Sequence, residues 1–92
     1  MSRVRTRCGD WTELPLRSYR TCQIRCSGGE GTYRTVRLRV ETQLDHGERR
    51  WYGYIESAIA AHPFPSRPVA GGADRKAVER RLMALVRRAA CP

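Results

Sequence analysis

The sequence predicts an α+β fold in which a small antiparallel sheet of three to four strands, a β-meander, packs against one C-terminal helix. Apolar and polar residues alternate through the middle of the chain, and near its end the apolar residues recur every three or four positions. Because strands precede the helix, one layer of each is expected. A chain of 92 residues has room for one hydrophobic core, so we predict a single domain over 1–92.

The first part of the chain, residues 1–18, is predicted to be an irregular lead with a short edge strand from Val4 to Cys8. Pro15 limits any regular structure that follows to the edge of a sheet or to a turn, because proline has no backbone N–H. Trp11 is expected to cover part of the core.

Antiparallel strands are predicted over 19–60, beginning with Tyr19 to Cys26 and ending with Arg50 to Ile59. The clearest strand runs from Tyr33 to Leu44, where alternate positions are apolar. Gly47 suits the tight turn that precedes the last strand. One face of the meander should therefore be buried and the other wet. The apolar positions of the clearest strand are Val36, Leu38, Val40 and Leu44.

A proline- and glycine-rich loop over 61–73 precedes a helix over 74–90. Its alternating prolines forbid a helix, and the loop is either a rigid connection or a recognition arm. Asp74 is a good N-cap, because its carboxylate accepts backbone N–H groups and suits the positive end of the helix dipole. An apolar stripe should pack on the buried sheet face. It consists of Val78, Leu82, Leu85 and Ala89, widened by Val86.

Four cysteines allow three interpretations, namely free thiols, disulfides or a zinc site. No apolar run follows the basic N-terminus, so no secretory signal is expected and the thiols should stay reduced in the cytoplasm. Two zinc ligands must lie within about 4 Å of each other, whereas a strand would hold Cys22 and Cys26 about 13 Å apart. We therefore favour buried thiols and predict no metal or cofactor. The weak zinc candidates are Cys8, Cys22, Cys26 and Cys91, with His46 as an alternative fourth ligand.

Arginine supplies all but one of the 18 basic residues, Lys76 being the exception, and the formal net charge is +9. Its planar fork binds phosphates and carboxylates in pairs, although GC-rich coding also favours arginine over lysine. We predict two exposed clusters of candidate contacts. They are Arg37, Arg39, Tyr52 and Tyr54 on the sheet, and Arg80, Arg81, Arg87 and Arg88 on the helix.

A sheet face that mixes arginine with tyrosine is typical of single-strand nucleic-acid binders, in which rings stack on bases and cations meet phosphates. The sequence therefore predicts a non-enzymatic binding protein whose partner is nucleic acid or a nucleoprotein complex. The alternative is a solvated face in which glutamates act as partial counter-charges. Catalysis is disfavoured, because neither His46 nor His62 has a nucleophile or carboxylate arranged beside it for a reaction.

In size, compact α+β layout and lack of a catalytic motif, the chain resembles phage anti-CRISPR proteins. The resemblance covers general build only, and it implies a second hypothesis of a mobile-element inhibitor that binds a host defence complex. A basic inhibitor would dock on an acidic protein surface or on bound nucleic acid. A small structural zinc module is a third hypothesis. No run of 18 apolar residues is present, so we expect no transmembrane helix and no membrane partner.

Overall fold

The computed structural model describes residues 4–26, 33–56 and 64–90, which form six strands and one helix. The predicted α+β class, with an antiparallel sheet against one C-terminal helix, is confirmed, and the sheet has more strands than the three to four predicted. The elements are β1 (Val4–Cys8), β2 (Thr12–Glu13), β3 (Arg17–Cys26), β4 (Arg34–Asp45), β5 (Glu48–Ile55), β6 (Ala70–Gly72) and α1 (Arg75–Ala90).

The strands lie in the order β1-β3-β4-β5-β6, and every neighbouring pair is antiparallel. β2 also pairs with β3, beside β1. β2 and β6 lie in segments predicted to be a lead and a loop. They are two and three residues long, too short to show an alternating pattern, and are strands only because a neighbour supplies their hydrogen bonds.

Several features predicted from the sequence fall outside the described residues. They are the end of the third predicted strand including Ile59, the start of the proline loop with His62, the side chain of Cys26, and Cys91.

The core lies between α1 and one face of the sheet. The predicted alternation in β4 is confirmed at Val36, Leu38 and Val40, each of which is almost fully buried. Leu44, the fourth member of that set, is 69 % exposed because it lies beside the β4–β5 turn, beyond the covered part of the sheet. The buried apolar residues are Cys22, Ile24, Val36, Leu38, Val40, Ile55, Val78, Leu82 and Val86.

A two-residue turn joins β4 to β5, as predicted. His46 and Gly47 have φ angles of 52° and 82°, the left-handed conformation that the tight hairpin turn requires at both positions. Asp45 and Glu48 are the pair that closes the hairpin, so this turn fixes the register of β4 and β5.

The helix begins at Arg75, and Asp74 is its N-cap, as predicted. The Lys76 backbone N–H donates to Asp74 Oδ1 at 3.1 Å. The buried row is Val78, Leu82 and Val86, at a spacing of four. All five residues of the predicted stripe thus belong to the core or pack against it, and Leu85 and Ala89 lie at its margin, where they are only partly buried. No helix of the described segments is long and apolar enough to cross a membrane.

The close approach of α1 to the sheet depends on Gly53 in β5. A Cβ atom at this position would lie 2.8 Å from Val78 Cγ1 and 2.9 Å from Leu82 Cδ2. Both distances are well inside van der Waals contact, so only the hydrogen of glycine fits beneath the helix. Val78 and Leu82, two of the three buried residues of α1, can therefore pack directly against the backbone of β5.

Cys8 and Cys22 are directly opposite each other in the register of β1 and β3, and they form a disulfide. The prediction of free thiols was therefore wrong for these two residues. The pairing of β1 with β3 brings their side chains together on the core side, and that pairing is not visible in the sequence. The bond removes both sulfurs from the weak zinc set.

The zinc interpretation also required the segment between Cys22 and Cys26 to be a turn, and both residues lie on β3 instead. Within the described ranges there is no group of three or more potential metal ligands.

We expect Gly53→Ala to destabilise the protein by about 1–3 kcal/mol, because the added methyl group overpacks the contact with Val78 and Leu82. Urea unfolding measures the change. Gly72→Ala is the matched control in the adjacent strand, where a Cβ atom meets nothing within 4 Å. Equal losses in the two variants would contradict the close contact.

We expect the Cys8→Ala/Cys22→Ala double variant to lose about 3 kcal/mol of stability, the loop-closure contribution for a crosslink between residues separated by 14 positions. Urea unfolding of the two proteins measures it. Peptide mass mapping without reductant should find the peptides containing Cys8 and Cys22 linked. Unlinked peptides together with unchanged stability would contradict the bond.

Candidate nucleic-acid interface

The sheet face turned away from α1, here called the outer face, gathers tyrosine and arginine. It is formed by the residues of β1, β3, β4 and β5 whose parity is opposite to that of the core residues. Every tyrosine of the chain lies on this face or at its margin. They are Tyr19, Tyr33, Tyr52 and Tyr54. The arginines of this face are Arg5, Arg7, Arg17, Arg25, Arg37, Arg39 and Arg50.

Arginine covers tyrosine rings at the centre of the outer face. Tyr19, Arg39 and Tyr54 are direct neighbours across β3, β4 and β5. The guanidinium carbon of Arg39 is 4.0 Å from the centroid of the Tyr54 ring, and that of Arg37 is 4.2 Å from the centroid of Tyr19. Both distances are typical of cation–π contacts. A ligand therefore meets stacked guanidinium planes here, and not bare rings.

Two glutamates partly neutralise this centre. Arg39 Nε lies 3.3 Å from a Glu56 oxygen and 3.4 Å from a Glu41 oxygen, although it is not aligned with either for a hydrogen bond. Arg37 Nε lies 3.6 Å from Glu56. The Arg39 side chain is 23 % exposed and the Arg37 side chain 52 %. Of the two predicted sheet arginines, Arg37 is therefore the better placed to meet a ligand.

At the β1 end of the outer face, arginine lies without an acidic partner among the described residues. Arg7 Nη2 donates to Gln23 Oε1 at 2.8 Å, and its guanidinium carbon lies 4.6 Å from the centroid of Tyr33. The guanidinium carbon of Arg25 lies 5.8 Å from the centroid of the same ring, and Arg5 is the cross-strand neighbour of Arg25. None of these three arginines forms an ion pair with an acidic residue of the described segments.

Sequence reasoning missed this end of the face. The alternation of arginine in β1 was visible, but its alignment with Arg25 and Tyr33 required the pairing of β1 with β3.

The tyrosine hydroxyls differ in environment. Arg17 Nη1 donates to Tyr19 Oη at 3.4 Å, and this hydrogen bond lowers the pKa of Tyr19. Burial raises the pKa of Tyr54, which lies beneath the Arg39 guanidinium. Tyr54 is therefore a support for Arg39 more than a contact surface, whereas the Tyr19 hydroxyl lies next to a cation at the surface.

The helix arginines do not join this site. Arg80, Arg81, Arg87 and Arg88 are exposed, as predicted. However, α1 covers the opposite side of the sheet, so the two predicted clusters lie on opposite sides of the molecule and form two separate surfaces.

Arg75 fastens the start of α1 to β2. Its terminal nitrogens donate to Glu13 at 2.7 and 3.0 Å, its Nε donates to Glu79 at 3.0 Å, and its guanidinium carbon lies 5.2 Å from the Trp11 ring centroid. Hydrogen bonds from Arg75, and then from the Ser18 hydroxyl, lower the pKa of Glu13 to about 2. This network holds the lead segment against the helix, so that β2 and β3 keep their places.

Comparison with known proteins found no matching family model, no matching curated protein and no matching solved structure. The class of protein is therefore defined by its own fold and surface. It is a small basic α+β domain with an open sheet face of tyrosine and arginine.

We expect acid to weaken the fold through Glu13. Its pKa in the folded protein, about 2, lies below the ordinary value of 4.5, so its contribution to stability is present above pH 4.5 and is lost as the pH falls towards 2. The Glu13→Gln variant should be less stable than wild type at pH 7, and this difference should shrink across that window. Urea unfolding at several pH values measures it.

The control for this prediction is Glu48→Gln, at an exposed glutamate that forms no ion pair with the described residues. A Glu13→Gln variant that matches wild type at pH 7, or whose deficit persists unchanged at low pH, would contradict the role of the Arg75 contact.

Proposed function

We propose that this protein binds single-stranded nucleic acid through the outer face and has no catalytic activity. The observation that supports this most strongly is the gathering of every tyrosine of the chain, with many of its arginines, on the sheet face opposite α1. Single-strand binders combine flat groups for bases with cations for phosphates, and they do so on open surfaces.

The outer face supplies both kinds of contact. Bases stack on guanidinium planes as well as on aromatic rings, so the Arg37–Tyr19 and Arg7–Tyr33 pairs each offer a layered surface. Arg5 and Arg25, which form no ion pair with the described residues, supply cations for phosphate oxygens, which arginine contacts in pairs. An open, curved sheet face accommodates unpaired bases, whereas the major groove of a duplex admits a helix or a narrow β-ribbon.

The β1 end is the part of the outer face where a bound anion would relieve the most charge repulsion. Arg5 and Arg25 are opposite each other in the sheet, and like charges in that position destabilise strand pairing. A phosphate chain along this end would relieve the repulsion. Ligand binding should then stabilise the fold, because whatever binds only the native state shifts the folding equilibrium.

A second candidate function, inhibition by binding a protein surface, is supported by exposed leucines. Leu16 and Leu44 are 63 % and 69 % exposed. They lie at the same end of the sheet, since the Thr42 N–H donates to the Leu16 carbonyl.

The disulfide between Cys8 and Cys22 bears on the cellular location of the protein. Such bonds persist in oxidising compartments, which weighs against the cytoplasmic location expected from the sequence.

We expect the Arg7→Gln/Arg25→Gln double variant to bind a fluorescent oligothymidine more than about tenfold more weakly than wild type at low salt. Each lost phosphate contact should also reduce the slope of log affinity against log salt by about 0.7. Fluorescence anisotropy across a salt series measures both. Arg81→Gln/Arg88→Gln, with the same loss of charge on the opposite side of the molecule, is the matched control.

Arg39 is not used in this test, because a substitution there would leave Glu41 without its cation, remove one of the two cations beside Glu56 and disturb the sheet. Stacking is tested separately at Tyr33, where Phe should retain affinity and Leu should lose it. If the two arginine double variants weaken binding equally, or wild type does not bind at low salt, the proposal fails. A stable 1:1 complex with a host protein after nuclease treatment would favour protein inhibition.

A further inference from the structure

A groove lies on the helix side of the sheet, away from the outer face. It has a volume of about 550 Å³, within the range of small-molecule sites. Arg20 of β3 forms one wall, and one face of α1 forms the other. The α1 residues that line it are Lys76, Glu79, Arg80, Met83, Ala84 and Arg87.

The positive charge of this groove is largely uncompensated. Glu79 is the acidic residue in its lining, and its carboxylate is held by Arg75 Nε at 3.0 Å. The side chains of Lys76 and Arg80 form no ion pair with any described residue. Two cations therefore face the groove without an ion-pair partner in the described segments.

The other two cations are held in position by their Nε atoms. Arg20 Nε donates to the Gly9 carbonyl at 2.6 Å, and its guanidinium carbon is 5.6 Å from the Trp11 ring centroid. Arg87 Nε donates to Thr6 Oγ1 at 3.4 Å. The terminal nitrogens of both guanidinium groups make no hydrogen bond to the described residues, so each can bind an anion with two parallel bonds. Groups already fixed in place lose little entropy on binding.

The cations form a row along the helix and do not surround one point. Lys76 and Arg87 are separated by about 16 Å along the axis of α1, and Arg80 lies between them. Met83 and Ala84 provide a short apolar strip in the same groove. A single phosphate could meet only part of this row, whereas an elongated anion could meet all of it.

We propose that this groove binds a linear anion that carries several phosphates, either a free oligophosphate or the backbone of a nucleic-acid strand. The site is separate from the outer face and stands without it. Its ligand contacts Lys76 through a single ammonium group and the arginines Arg20, Arg80 and Arg87 through paired N–H donors.

The experiment is a titration of ¹⁵N-labelled protein with inorganic tripolyphosphate, followed by NMR, with calorimetry for affinity. We expect the amide signals of Lys76, Arg80 and Arg87 to shift. Lys76→Glu/Arg80→Glu should weaken binding by at least about tenfold. Arg81→Glu/Arg88→Glu reverses the same amount of charge on the same helix outside the groove. It should weaken binding by less than about threefold at about 0.1 M salt, where the Debye length is about 10 Å.

These outcomes distinguish binding in the groove from general electrostatic attraction between the anion and a basic protein. Equal weakening in the two Glu double variants, or shifts confined to the outer face, would overturn the proposal. Circular dichroism checks that the variants fold, and Lys76→Gln/Arg80→Gln, which only removes charge, should give an intermediate loss. A hexathymidine oligonucleotide tests the source. If it moves the same groove signals, the ligand is a nucleic-acid backbone; if only tripolyphosphate does, it is an oligophosphate.

Discussion

The contact between α1 and Gly53 decides what both sides of the sheet can do. Side chains alternate along a strand, so seating the helix over Gly53 sends Tyr52 and Tyr54, its neighbours in sequence, to the opposite face. Gly53 thus determines which face of the sheet forms the core with α1 and which face carries the tyrosines. Core packing and the composition of the outer face are two results of the same close approach.

Charge on this small domain is arranged in zones. The centre of the outer face holds Arg39 among Tyr54, Glu41 and Glu56, where its side chain is mostly buried and stabilises the sheet. Towards β1 the described residues supply no further counter-charge, and the neighbouring Arg5 and Arg25 repel each other. Such repulsion opposes compactness, and the disulfide between β1 and β3 offsets it by restricting the unfolded chain.

Local features were predictable from the sequence, and pairings between distant segments were not. The alternation in β4 and the Asp74 N-cap depend on nearby residues, so pattern and residue type identified them. The register of β1 on β3 depends on residues far apart in the chain. Without it, neither the disulfide nor the grouping of Arg5, Arg7 and Arg25 at one end of the outer face could be predicted. Strand parity correctly placed Arg37 and Arg39 on the outer face, and the alternative in which glutamates act as counter-charges fits the contacts of Arg39 with Glu41 and Glu56. Parity could not predict that these contacts leave Arg39 less exposed than Arg37.

The edge strand β1 belongs to two surfaces at once. Arg7 points to the outer face, while the next residue in the chain towards the N-terminus, Thr6, accepts a hydrogen bond from Arg87 of the groove. A ligand that displaced β1 from the outer face would therefore also move the groove, and a ligand in the groove would move the outer face. Thermodynamic reciprocity requires the two occupants to help or hinder each other by the same factor, whichever arrives first. The crosslink at Cys8 limits how far the strand can move, and so sets an upper bound on that cooperativity.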